Sequence, residues 1–414
     1  MPSRYETDEE VVPDWLGKDL KLPHSGLVVK NRFYKGPMSE YIAVADKENL
    51  KASGVPTAVF ANMNEKWAAG GFGMIVTGTI LLDETGLARI PGNLLINPEA
   101  DTPERRAGFK AIADAVKKHG SLMIGRLMNG GEQQSFLKSI GEEVTKSAFH
   151  KTKYGIKYLY DSGFSGASYQ LVAIPTIEDG KRPDLAKLFT LIDALVEAKR
   201  STIPEDSSFS LGIKLSTAKF QPFGVTFEDF VKIAQKLESC PFDYIELAGG
   251  NYEHPYENAR ERETFFQKIV DEIKDHVKSI PIIVIGGFRT VKVMERLLKE
   301  GKVDGIGLAR PAAAEFDFPQ KVLNGQVQAT KWNPFEQDMA MSVLAGAAQM
   351  NQAGLRSLEE NNGQPNFGVM DLSDEKVLEK FMAAKNDFVE KAEELRKQGK
   401  LAWGAVVIAN GMNV

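Results

Sequence analysis

Pro281-Ile282-Ile283-Val284-Ile285-Gly286-Gly287 and Val303-Asp304-Gly305-Ile306-Gly307-Leu308-Ala309-Arg310-Pro311 are the stretches on which the fold turns. Each is a short apolar run that closes on glycine or another small residue. The periodic apolar positions from Val291 to Leu298 predict a helix between them. Glycine at a strand exit lets a backbone N–H come close to a phosphate, and Arg310 adds a cation able to form a bidentate pair. Two such exits in succession fit the last two βα-loops of a (β/α)8 barrel, where phosphorylated ligands are commonly held. An ordinary βαβ unit with tight turns fits the same residues.

Outward from this pair, strand-like runs recur at 33–37, 74–79, 122–127, 164–170, 211–215 and 244–248. Most are continuously apolar rather than alternating, as parallel strands buried on both faces require. Helical patterns separate them: Asn64–Ala69 running into Gly70-Gly71, Pro103–His119 ending at Gly120, then 142–161, 185–200, 226–238, 261–277 and 290–300. Eight β-then-α units in unbroken rhythm predict an α/β fold, a closed (β/α)8 TIM barrel over residues 28–325 rather than an open doubly wound sheet. Residues 1–27 form a tail and cap, with Leu20–Leu22 and Gly26–Val29 readable as a hairpin over the N-terminal mouth of the barrel. Residues 326–414 form a helical extension packed on the barrel, with helices expected over 335–352 and 373–398. The second has Val377, Phe381, Ala384, Phe388 and Ala392 along one stripe. That stripe suits packing on the barrel or on a partner, so a homodimer stays open.

The chain has 414 residues, 43% of them hydrophobic, and a net charge of −5, which argues against general attraction to nucleic acid or an anionic membrane. The lone Cys240 excludes an internal disulfide and a multi-cysteine metal centre. His24, His119, His150, His254 and His276 show no metal-ligand spacing. His254 follows the sixth strand and is either a loop histidine or one that faces substrate. The start is polar and acidic, without an apolar run, and no stretch is long and apolar enough to span a bilayer. These features lead to the expectation of a cytoplasmic protein acting on a small molecule.

Four pieces of sequence closely resemble the old yellow enzyme family of FMN-dependent NAD(P)H oxidoreductases and ene-reductases. They are Lys30–Ser39 at the first strand, Trp67–Thr79 into the second, Ile245–Tyr252 at the sixth exit, and the two stretches quoted first. The resemblance covers most of residues 18–325 and is strongest in the first two and last three strands. It implies an FMN across the C-terminal mouth, reduced by NAD(P)H. Pro37, Met38 and Ser39 would line the isoalloxazine, and Gly78 would pass close beneath it. Lys214 stands where the family usually has arginine, and Gly286, Gly287, Ala309 and Arg310 would cradle the phosphate. A cation beside the ring stabilises the charge gained on reduction.

The middle strands depart from the pattern. Arg126 takes the position of the family's glutamine on the third strand, and Asn129 that of a histidine. Gln170 and Ala173 replace the usual His–His or His–Asn donor pair, and the flanking loops are shorter than usual. Arg126 can still donate to the flavin. Gln170 and Asn129 are the remaining amides able to orient an acceptor, and one lost donor of this kind costs about 2.7–4 kcal/mol. Two functions follow: a reductase of electron-poor acceptors such as activated alkenes or quinones, or a flavin-binding pseudoenzyme acting as an interaction protein. Glu246, within the sixth strand, is expected to be an inward carboxylate paired with a lysine rather than a catalytic acid.

Overall fold

A computed structural model describes residues 3–46, 48–83, 91–128, 142–171, 183–217, 224–250, 260–400 and 404–408. Two short antiparallel strands come first, Leu20–Lys21 (β1) and Val28–Val29 (β2), with Leu20 opposite Val29. The parallel strands follow: Phe33–Lys35 (β3), Met74–Leu81 (β4), Leu122–Met128 (β6), Gly166–Leu171 (β7), Ser210–Ser216 (β8), Tyr244–Ala248 (β9), Ile282–Ile285 (β10) and Gly305–Leu308 (β11). Leu94–Leu95 (β5) only pairs in parallel beside the end of β4, Ile80 opposite Leu94 and Leu81 opposite Leu95. β11 pairs with β3 and β3 with β4, so the eight strands close into a barrel.

The alternation of the strands sorts their side chains into two apolar clusters. Outward residues such as Phe33, Ile75, Leu127, Ile213, Ile245 and Val284 meet the surrounding helices. Inward residues Tyr34, Met74, Val76, Ile124, Tyr244 and Ile283 form a separate core, sealed by Leu22 and Val29 of the β1–β2 hairpin. The hairpin therefore plugs the N-terminal end of the barrel and leaves polar side chains to the opposite mouth.

The helices are Ala58–Ala69 (α1), Pro103–Lys117 (α2), Glu142–Asp161 (α3), Leu185–Arg200 (α4), Phe227–Glu238 (α5), Arg260–His276 (α6) and Val291–Lys299 (α7). Some of their starts are capped: Thr102 accepts from the Arg105 N–H, and Thr226 with Asp229 forms a capping box. α1 begins six residues before the Asn64 that periodicity indicates. It is covered on more than one side, burying Phe60 and Met63 together with Asn64 and Lys66, which blurs the amphipathic signal.

After β11 come two short helices, Arg310–Ala314 (α8) and Phe318–Leu323 (α9), then Met339–Gly354 (α10) and Glu375–Lys397 (α11). α10 lies on α1, where Lys66 Nζ donates to the Ala353 carbonyl at 2.6 Å and Asn62 to Gly354 at 3.0 Å. The α11 stripe faces α10: Phe381 is fully buried with Ala345, Ala348, Met370 and Leu372, and Val377, Ala384 and Phe388 pack beside it. At the other end, Arg4 pairs with Glu315 through both carboxylate oxygens, at 2.8 and 2.6 Å. The acidic run near the start is exposed, yet Asp8 and Glu9 pair with Lys292 at 3.0 and 3.1 Å.

Candidate active site

Side chains on a strand alternate in direction, so strand register decides which polar residues share the interior. Gln170 lies opposite Lys214, and Lys214 opposite Glu246, across β7, β8 and β9. One step along, Arg126 on β6 lies opposite Ser168 on β7. Arg126, Gln170, Lys214 and Glu246 thus form one inward wall at the C-terminal mouth. All four are buried.

Lys214 Nζ is 2.8 Å from Glu246 Oε1, with side chains 11% and 0% exposed, so the inward carboxylate is paired with lysine. The Tyr34 hydroxyl donates to the other oxygen of Glu246 at 2.5 Å. Burial and the Glu246 charge push that hydroxyl well above its ordinary pKa. Arg126 anchors its backbone N–H on Thr77 Oγ1 at 3.0 Å. Its Nε has no hydrogen-bond partner among the described residues. Burial lowers the Arg126 pKa, with Glu246 and Tyr34 opposing.

The β3 exit brings Pro37, Met38 and Ser39 to the same mouth, and Ser39 Oγ donates to Thr79 Oγ1 at 3.4 Å. Gly78 sits where the β4–β6 register shifts between Val76 and Thr79. Its N–H donates to Glu40 Oε1 at 2.8 Å. A Cβ at Gly78 would stand 1.9 Å from Glu40 Oε2 and 2.3 Å from the Met38 carbonyl, so only glycine permits this approach. Lys35, also fully buried, donates to the Val76 carbonyl at 3.0 Å, with its ammonium 4.1 Å from the centre of the Trp67 ring.

Across the mouth, a Cβ on Gly286 would meet Phe266 at 2.6 Å, and Gly287 adopts a φ of +69°. Ala309 leads into the short α8, with Arg310 as its first residue. Arg310 Nη1 donates to Ser342 Oγ of α10 at 3.3 Å, and its Nη2 is 3.6 Å from Glu336 Oε1. Glu336 is also gripped by Arg289 at 2.6 Å and by the Tyr5 hydroxyl at 2.5 Å. Burial opposes ionisation of Glu336, but the charge and hydrogen bonds of Arg289 hold its carboxyl below the ordinary value. The C-terminal extension therefore supplies the partners of Arg310.

These residues fit a flavin mononucleotide on two counts. Arg126 Nε is a buried donor with no acceptor among the described residues, and the exits of β10 and β11 join glycine backbone to an arginine. Of the candidates read from the sequence, Pro37, Met38, Ser39, Gly78, Arg126, Gln170, Lys214, Gly286, Gly287, Ala309 and Arg310 lie at the strand exits or on the inward wall. Asn129, Ala173 and His254 lie outside the described residues. Sequence reasoning passed over Lys35 and Glu40, although both flank the Pro37–Ser39 segment that the resemblance implies for the ring. It also passed over Arg289 and Glu336, which meet Arg310 only through tertiary contact.

No family model matches the chain. It is similar along almost its whole length to the NADH-dependent flavin oxidoreductase nadA of Aspergillus parasiticus, at 25% identity over 97% of this chain and 98% of that protein. The NADH-dependent flavin oxidoreductase iliE of Hypocrea jecorina is 25% identical over 75% of this chain and 90% of its own length. Among solved structures, the old yellow enzyme homologue of Zymomonas mobilis superposes with a TM-score of 0.58 at 15% identity, covering 79% of this chain and 96% of that one.

Proposed function

We propose that this chain, a divergent member of the old yellow enzyme family, is an FMN-dependent oxidoreductase that takes hydride from NAD(P)H and passes it to an electron-poor acceptor such as an activated alkene or quinone. The observation that carries the reading is the inward wall of Arg126, Gln170, Lys214 and Glu246 facing the glycine and arginine exits of β10 and β11. The chemistry supplied by a bound FMN is two-electron hydride relay between nicotinamide and acceptor.

The chain's own part is positioning and electrostatics. Pro37, Met38 and Ser39 would line one edge of the ring. The cations of Arg126 and Lys214 would favour the negative charge gained on reduction. Glu246, held by Tyr34, fixes the direction of Lys214. Gly286, Gly287, Ala309 and Arg310 would hold the phosphate through backbone N–H groups and guanidinium. Gln170, with Asn129 as its companion, would donate to the acceptor oxygen. The substrate would be a small molecule, and among the described residues no helix is long and apolar enough to cross a membrane.

The test is spectroscopic. The purified protein should be yellow, release FMN on heating, and bleach anaerobically with NADH or NADPH. A colourless protein that cannot be reconstituted with FMN defeats the reading. The rival, a flavin-holding interaction protein, draws on the Lys214–Glu246 pair, which already engages the cation nearest the acceptor amide. It predicts yellow protein that neither nicotinamide bleaches.

A further inference from the structure

The exit of β3 carries a carboxylate to which this reading gives no role. Glu40 is fully buried. One oxygen accepts from the Gly78 N–H at 2.8 Å, and the other has no hydrogen-bond partner among the described residues. That second oxygen lies 1.9 Å from where a Cβ on Gly78 would stand, so the carboxylate rests directly on the glycine read as passing beneath the ring. The charged groups acting on it are Lys35 from β3 and Arg126 from β6. Lys35 is itself buried against the Val76 carbonyl and the Trp67 ring. Burial pushes the Glu40 carboxyl above its ordinary value, while Lys35, the Gly78 N–H and Arg126 pull it down.

A buried charge is costly unless paired, and an unneeded one is readily replaced by an apolar residue. We propose that Glu40 is a positioning residue of the flavin site that holds the Gly78 bulge against the ring and, with Lys35 as its counter-charge, sets the reduction potential of the bound flavin. The inference rests on the flavin reading above. Hydride transfer from NAD(P)H brings two electrons and one proton, so the ring gains one negative charge while the nicotinamide is oxidised to NAD(P)+. A fixed carboxylate beside the ring opposes that gain, and a fixed ammonium favours it.

The test is the midpoint potential of the FMN-loaded protein, read by spectroelectrochemistry without turnover. Glu40→Gln keeps an acceptor for the Gly78 N–H and removes the charge. It should shift the preference for reduced over oxidised flavin by about tenfold, a rise of about 30 mV for a two-electron couple. Lys35→Gln removes the opposite charge and should lower the potential. A residue that only supports the fold would not move the two variants in opposite directions. An unchanged or lowered potential in Glu40→Gln overturns the proposal, as does a raised or unchanged potential in Lys35→Gln, so either folded variant decides it alone. Failure of the wild-type protein to bind FMN in a fluorescence titration would instead defeat the flavin reading and this inference with it.

Discussion

At Gln170 the chain places an amide where the resembled family has a stronger donor pair, and the register sets that amide directly opposite Lys214. On the proposed function, an amide in this position would polarise an acceptor oxygen without touching the nicotinamide step. Gln170→Ala should therefore slow reduction of a simple enone about 100-fold while leaving anaerobic bleaching by nicotinamide almost unchanged. Stopped-flow separation of the two half-reactions checks this. Equal loss in both would make Gln170 structural. The candidacy of Gln170 and Lys214 was legible from their places near strand ends in the resembled order, although both depart from the residues the family usually has there. The lysine pairing of Glu246 was legible too and is made across the adjacent strands β8 and β9, but its hydrogen bond from Tyr34 was not, since 212 residues separate the two and only barrel closure brings them together.

At the scale of elements, the exits of β3 and β4 act together. The register shift in β4 turns Gly78 towards the carboxylate that leaves β3 four residues after Gly36. Gly78→Ala would drive a methyl group into Glu40 and the Met38 carbonyl. Overpacking of this kind typically costs about 1–3 kcal/mol, and here it falls at the proposed ring edge. Reduced stability in urea, together with weakened FMN retention, is the expected result. Stability and retention equal to wild type would mean that the bulge relaxes freely. The helix starts expected at 103 and 226 fall within one residue of those of α2 and α5, where Thr102 and Thr226 cap the first turn. The early start of α1 was not readable, because α10 covers a flank that an isolated amphipathic helix would leave to water.

Across the whole molecule, Lys35 ties the proposed site to stability. Burial pushes its ammonium down to about 8 from 10.5, with Glu40 opposing the fall. The unfolded chain therefore holds that proton more tightly than the folded one between those two values. Stability should rise with pH across this window, and the penalty is fully present below it. The difference in unfolding free energy between wild type and Lys35→Met should accordingly grow in favour of wild type from about pH 8 towards about pH 10.5. Denaturant titrations at stepped pH measure it. A flat difference would mean that the ammonium is better solvated than its buried position indicates.

The order of apolar runs, their glycine exits and their helical spacers determined the barrel, because parallel strands buried on both faces need continuous apolar sequence and each crossover needs a helix. The same runs located the residues at the strand exits, since a strand's end is a local property of the chain. Apart from the lysine expected for Glu246, pairing among charges was decided only by tertiary structure. Lys35 and Glu40, at β3 and its exit, meet Arg126 from β6, and Arg289, Arg310, Glu336 and Tyr5 meet where the C-terminal extension and the N-terminal segment reach the barrel. Electrostatic energy depends on distance and burial, and neither is written in the order of residues along a chain.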